Sequence, residues 1–196
     1  MALALLGATP GLALAEGVIL VVGDSLSSAY GMDAREGWVA LLEQRLDARG
    51  AGYRVMNASI SGDTTAGGVS RLPRALESHD PDVVVIELGG NDGLRGIPLE
   101  ETRSNLARMV ELAKAHGARV LLLGMRLPPN YGPMYTKRFH EIYADLAEAN
   151  GVARVPFFLE GVGGVRELMQ DDGIHPRPEA QGRLLENVWP HLEPLL

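Results

Sequence analysis

The chain has 196 residues, 46% hydrophobic and 22% charged, an ordinary balance for one globular domain with a sizeable core. Lys and Arg number 18 against 25 Asp and Glu, and the net charge of −7, with no basic run, argues against a nucleic-acid partner. There is no cysteine, so disulfides, thiolate metal sites and cysteine nucleophiles are excluded.

Residues 1–15, MALALLGATPGLALA, carry no charge and end in Ala13-Leu14-Ala15, a small-x-small pattern like a signal-peptidase site. Gly7 and Pro10 interrupt the run, and no basic segment precedes it. The expectation is a leader or its remnant, an apolar tail being the alternative, with a single domain over 16–196. That reading favours a periplasmic or secreted protein over a cytoplasmic one. The run is shorter than the ~20 apolar residues of a membrane span, and no other run approaches that length.

Val18–Val22 reads as the first buried strand, a continuous apolar run that stops at Gly23-Asp24-Ser25. Trp38, Leu41, Leu42 and Leu46 then recur at helical spacing before a stop at Gly50. Tyr53–Met56 is the second strand. A helix over Thr64–Ser78 is a weaker expectation, because Pro73 interrupts it. Val83–Leu88 is the third strand, followed by a helix through Leu106, Met109, Val110 and Ala113. Arg119–Met125 is the fourth strand, and Phe139, Ile142, Tyr143 and Leu146 mark the next helix before Gly151. Val152–Phe158 is the fifth strand, and Pro178 suits the first turn of a closing helix that reaches Val188. Alternating strands and helices predict an α/β fold with a parallel sheet covered on both faces. Ligands of such sheets bind outside the carboxyl ends of the strands, so the loops after each strand matter most.

Those loops read GDSLS at Gly23–Ser27, NASISGDTT at Asn57–Thr65, GGNDGLRG at Gly89–Gly96 and RLPPNYG at Arg126–Gly132. QDDGIHP, Gln170–Pro176, precedes the last helix. Ser25 is the candidate nucleophile. His175 is the candidate general base, and Asp172, three residues earlier, can orient it on one turn; Asp171 competes for that role. The N–H groups of Ser25 and Gly62 and the amide of Asn91 are candidate oxyanion donors. Each loop taken alone is ordinary turn chemistry; the case rests on their convergence at one sheet edge.

GDSLS, the glycine of SISGD, GGND and DGIH resemble the four blocks of the SGNH, or GDSL, hydrolases, in that family's order and spacing. The resemblance covers the chain after Glu16 and is nearest to the bacterial thioesterase, lysophospholipase and arylesterase branch. It implies a flavodoxin-like three-layer α/β/α fold with a five-stranded parallel sheet in the order 2-1-3-4-5. It implies Ser25, Asp172 and His175 as the catalytic triad and Ser25, Gly62 and Asn91 as the oxyanion hole, with no metal or cofactor. The implied substrate is a small acyl ester or thioester, hydrolysed through an acyl-serine. Family members of this branch are commonly exported.

Leu94, Ile97 and Leu127 are candidate lining residues of an acyl groove, with Gly93 and Gly96 beside them. Asp24, Asp63 and Asp92 are expected to fix loops as hydrogen-bond acceptors, and Ser27 and Ser28 to be loop and helix-cap residues. His79, His116, His140 and His191 lack an acidic partner at suggestive spacing and are expected to face solvent. Trp38 and Trp189 are expected in the core. Two other readings compete. A carbohydrate O-acetylesterase uses the same fold and site. A non-catalytic flavodoxin-like module, such as a receiver, would want a lysine at the end of the fifth strand, and both lysines lie elsewhere. No G-x-x-x-x-G-K-[ST] loop exists for a nucleotide.

Overall fold

The structure is a computed structural model, and it describes residues 17–196. The segment 1–15, expected as a leader remnant or an apolar tail, lies outside the described residues. The strands are β1 (Gly17–Gly23), β2 (Tyr53–Asn57), β3 (Val83–Glu87), β4 (Arg119–Leu123) and β5 (Ala153–Val155). All pair in parallel, in the order β2-β1-β3-β4-β5. The helices are α1 (Trp38–Arg49), α2 (Thr65–His79), α3 (Gly90–Leu94), α4 (Leu99–Ala115), α5 (Pro133–Asn150) and α6 (Pro178–Leu192). α1 packs on α6, while α4 packs on both α2 and α5, giving two helical groups around the sheet. This is the expected α/β/α sandwich with the expected strand order.

β1 and β3 are buried at every position, as their unbroken aliphatic runs require. β2 is an edge strand and stays half-exposed, so two-sided burial does not extend to it. β5 is shorter than expected. The regular register ends at Val155: Gly124 N still donates to the Val155 carbonyl, but the Gly124 carbonyl accepts from Phe158, one residue later than a regular ladder would place the donor. Helix α2 continues through Pro73 and is a full element of 15 residues, its buried Leu72 and Leu76 holding it against the core. GGNDGLRG is more ordered than a loop, because Gly90–Leu94 forms the short helix α3. Its N-cap, Gly89, has φ +110°, and a Cβ there would lie 2.3 Å from the Tyr143 hydroxyl. Only glycine fits that bend. Trp38 and Trp189 are buried, as expected.

No helix of the described residues is long and apolar enough to cross a membrane.

Candidate active site

β1 and β3 run side by side with Gly23 opposite Glu87, so the loops that follow them leave the sheet together. Ser25 lies two residues past the end of β1 and is nearly buried. His175 reaches it from the loop before α6, 150 residues away, with Nε2 2.8 Å from Ser25 Oγ. Asp172 Oδ2 lies 2.6 Å from His175 Nδ1. A carboxylate at that distance holds the proton on Nδ1 and leaves Nε2 as the acceptor of the serine hydroxyl.

The Asp172–His175 turn is stapled by its own backbone. Asp172 Oδ1 accepts from the amides of Ile174 and His175 at 2.9 and 3.0 Å. Partial burial pushes the Asp172 carboxyl up, but the bonds from the His175 ring, the His175 amide and the Ile174 amide outweigh it and bring it down to about 2. Asp171 takes no part: its side chain is fully exposed and pairs with Arg177 at 2.8 Å. The Tyr30 ring lies against the imidazole, with centroids 4.4 Å apart.

The amides of Ser25 and Gly62 donate to no acceptor among the described residues. Gly62 adopts φ +79°, which turns its peptide as few other residues can. Its carbonyl accepts from Arg95 Nη2 at 2.8 Å. Asn91 differs from the sequence-based picture of a free donor. Its amide nitrogen already donates to Asp24 Oδ2 and to the Asp63 carbonyl, each at 2.9 Å.

Asp24, Asp63 and Asp92 each fix a loop. Asp24 Oδ1 accepts from the Leu26 amide at 3.1 Å. Asp63 accepts from the Thr64 amide and from Arg71, the latter at 2.7 Å. Asp92, buried, accepts from both the amide and the hydroxyl of Thr65. Burial, foremost, raises the Asp24 carboxyl to about 6, against the downward pull of the Leu26 and Asn91 amides and of His175.

A cavity of about 390 Å³ opens beside Ser25 and His175. Leu94 and Leu127 line it, but Ile97 does not. The amide of Ile97 instead closes the end of α3 on the Asp92 carbonyl. Met125, Phe157, Leu159 and Ile174 supply much of the remaining apolar wall. Phe157 falls within the segment expected as the fifth strand, which hid it, and Leu159 lies one residue beyond that segment. Two buried polar residues were also missed as functional candidates. Ser27 is 2% exposed and bonds Glu87, and Glu87 is the one charged residue of β3. A charge ending an otherwise aliphatic buried run was the available signal.

Two of the four other histidines have partners the sequence could not show. His116 meets Asp80, 36 residues away, at 3.0 Å, and His140 meets the Met125 carbonyl at 3.0 Å. Helix packing, not local spacing, creates both contacts. Partial burial lowers the His191 imidazole below its usual range. Among the described residues no cluster of three or more His, Asp or Glu is arranged to hold a metal.

Residues 21–183 match the model of the GDSL-like lipase/acylhydrolase family. The chain is 61% identical over 178 residues to the esterase TesA of Pseudomonas aeruginosa, covering 91% of this chain and 89% of that protein. It is 50% identical to an arylesterase of Vibrio mimicus, covering 87% of this chain and 85% of that one. It is 44% identical to thioesterase 1/protease 1/lysophospholipase L1 of Escherichia coli, covering 94% and 87%. The crystal structure of TesA superposes with a TM-score of 0.90 at 60% identity, over 91% of this chain and 99% of that one.

Proposed function

The chain belongs to the GDSL-like lipase/acylhydrolase family, and from that premise we propose that it is a serine esterase acting on carboxylic esters or thioesters of acyl groups. The observation that carries this reading is the unbroken chain of hydrogen bonds from Ser25 through His175 to Asp172 at 2.8 and 2.6 Å. Ser25 Oγ attacks the carbonyl carbon, and its proton passes to His175 Nε2. The imidazolium is stabilised by Asp172, which keeps its negative charge. His175 then gives the proton to the departing alcohol, phenol or thiol as the C–O or C–S bond breaks, leaving an acyl-serine. A water molecule, deprotonated by His175, hydrolyses the acyl-serine and restores the hydroxyl.

The oxyanion receives the N–H groups of Ser25 and Gly62, which have no competing acceptor among the described residues. Asn91 joins by turning toward it the hydrogen now given to the Asp63 carbonyl. An anionic oxygen is a stronger acceptor than a neutral carbonyl, so the exchange is favourable once charge develops. The apolar walls from Leu94, Leu127, Phe157 and Leu159 favour an acyl chain over a sugar in the cavity. That lining supports reading a long or aromatic acyl ester, ahead of a carbohydrate acetate, as the substrate.

Export is part of the proposal, and it rests on the Ala13-Leu14-Ala15 pattern. N-terminal sequencing of the protein from the periplasmic fraction and medium tests it. Cleavage after Ala15 supports export, and an intact start confined to the cytoplasm contradicts it.

The activity is tested with phenyl esters of graded chain length, acyl-CoA and lysophospholipid, against wild type and Ser25→Ala. Hydrolysis by wild type alone is expected. Hydrolysis that survives in Ser25→Ala contradicts the assignment, and a strict preference for acetyl esters contradicts the acyl-chain reading.

A further inference from the structure

Glu87 is a buried acid for which the proposed chemistry has no use. It ends β3 after four aliphatic residues, and none of its side chain is exposed. Its neighbour across the sheet is Gly23, where a Cβ would lie 2.7 Å from Glu87 Oε2. That oxygen accepts from Ser27 Oγ at 2.7 Å and from the Asp24 amide at 3.2 Å. Ser27 Oγ accepts in turn from Trp38 Nε1 at 3.2 Å, so its one proton is committed to Glu87. The other oxygen, Oε1, is buried and has no partner among the described residues.

The groups around it make an anion costly. Asp24, itself buried, lies against Glu87 from the loop after β1, its amide donating to Glu87 Oε2 at 3.2 Å. The charges of Asp63 and His175 also act on Asp24, and the Tyr143 phenol of α5 donates to the Leu88 carbonyl, next to Glu87, at 2.9 Å and feels the Asp92, Glu87 and Asp24 carboxyls. Arg71 of α2 reaches the Gly23 carbonyl, but its ion pair is with Asp63. Neither Glu87 nor Asp24 forms an ion pair with a described residue. Two adjacent buried carboxylates with an unsatisfied oxygen would carry both a desolvation and a repulsion penalty.

We propose that Glu87 is held as a neutral acid that donates its proton to the Asp24 carboxylate, and that through Asp24 it is a positioning residue for the Asn91 amide. The proton lets the two buried carboxyls share a hydrogen bond where two anions would repel. It leaves Asp24 as an acceptor only, for Glu87, the Leu26 amide and Asn91 Nδ2. Were the shared proton on Asp24 instead, Asn91 would face a neutral acid and lose its anionic partner. Burial, foremost, and the nearby Asp24 charge push the Glu87 carboxyl well above its usual range, in the sense this requires.

The positioning half rests on the reading of Asn91 as an oxyanion donor; the protonation half does not. Infrared spectra of the wild-type chain labelled with ¹³C-carboxyl glutamate, at neutral pH, test the proton directly. An isotope-sensitive band of a neutral carboxylic acid is expected, absent in Glu87→Gln. A spectrum with no such band overturns the proposal, and this arm needs no variant to fold. Kinetics on a soluble phenyl ester test the positioning. Glu87→Gln, neutral and of the same shape, is expected to keep turnover within about threefold of wild type, and Glu87→Ala to lower kcat about tenfold at unchanged KM. In an Asn91→Ala background the Glu87→Ala loss should vanish. An equal loss in both backgrounds, or a drop beyond about tenfold in Glu87→Gln, overturns the positioning role. Wild-type turnover in Asn91→Ala alone would instead remove the oxyanion reading, while the infrared band would still stand.

Discussion

Asp172 and His175 stand three residues apart on one turn, with 38% and 16% of their side chains exposed. Asp24 and Glu87 stand 63 residues apart and are 2% and 0% exposed. The base side of the site is thus a local device, held by two amides of its own turn. The nucleophile side is a long-range device, in which β1, β3, the α2 entry and the α3 turn all meet on Asp24, Glu87, Asp63 and Asn91. The lesson concerns what each half can lose. A local turn can be altered with little effect on the fold. A buried polar network cannot, because each group removed leaves a partner unsatisfied.

Several changes would break or sharpen that contrast. Asp172→Asn is expected to lower turnover by on the order of 10⁴, through loss of the correct imidazole tautomer, with a modest loss of stability at neutral pH. A large loss of stability would show that the turn is not autonomous. Asn91→Ala is expected to lower kcat by ~10²–10³, and also to weaken the fold, since Asp24 and the Asp63 carbonyl lose a donor. Ser27→Ala is expected to cost about 1–3 kcal/mol by denaturant unfolding, because Glu87 and the Trp38 indole each lose a partner. Its turnover should fall less than that of Asp172→Asn; the reverse order would erase the distinction.

The two acids also respond to pH in opposite senses. Asp172 sits at about 2 in the fold, below the ~3.9 of an unfolded aspartate. Its stabilisation is therefore complete above about pH 4 and is lost as pH falls through about 2. Asp24 sits at about 6, above its unfolded value. Its proton stabilises the fold below about pH 4, and that contribution is lost as pH rises through about 6. Unfolding free energies across this range should show the Asp24 slope abolished in Asp24→Asn and the acid limb softened in Asp172→Asn. Unchanged slopes in both variants would contradict the assignment of either acid.

The contrast also explains what the sequence made legible. Five apolar runs and the glycine stops after α1 and α5 follow from local chemistry, and the strand order came with the four-block resemblance. Asp172-x-x-His175 was readable because both partners lie in one turn. Glu87 and Ser27 were not, because their pairing depends on β1 and β3 lying side by side with Gly23 opposite Glu87. The engagement of Asn91 by Asp24 and Asp63 was hidden for the same reason, 67 and 28 residues being too far for any spacing rule. Ile97 is outside the cavity lining because GGNDGLRG is not a plain loop: Gly90–Leu94 coils into α3, and the Ile97 amide closes that helix on the Asp92 carbonyl.

The account stands most directly on a covalent bond to one atom. Mass spectrometry of the protein quenched during turnover of a phenyl ester, or after reaction with an alkyl phosphonate, reads that bond. The predicted result is a single acyl or phosphonyl adduct on the peptide carrying Ser25, absent in Ser25→Ala and slowed in His175→Ala. An adduct on another residue, or full hydrolysis with no adduct and no effect of Ser25→Ala, would contradict it.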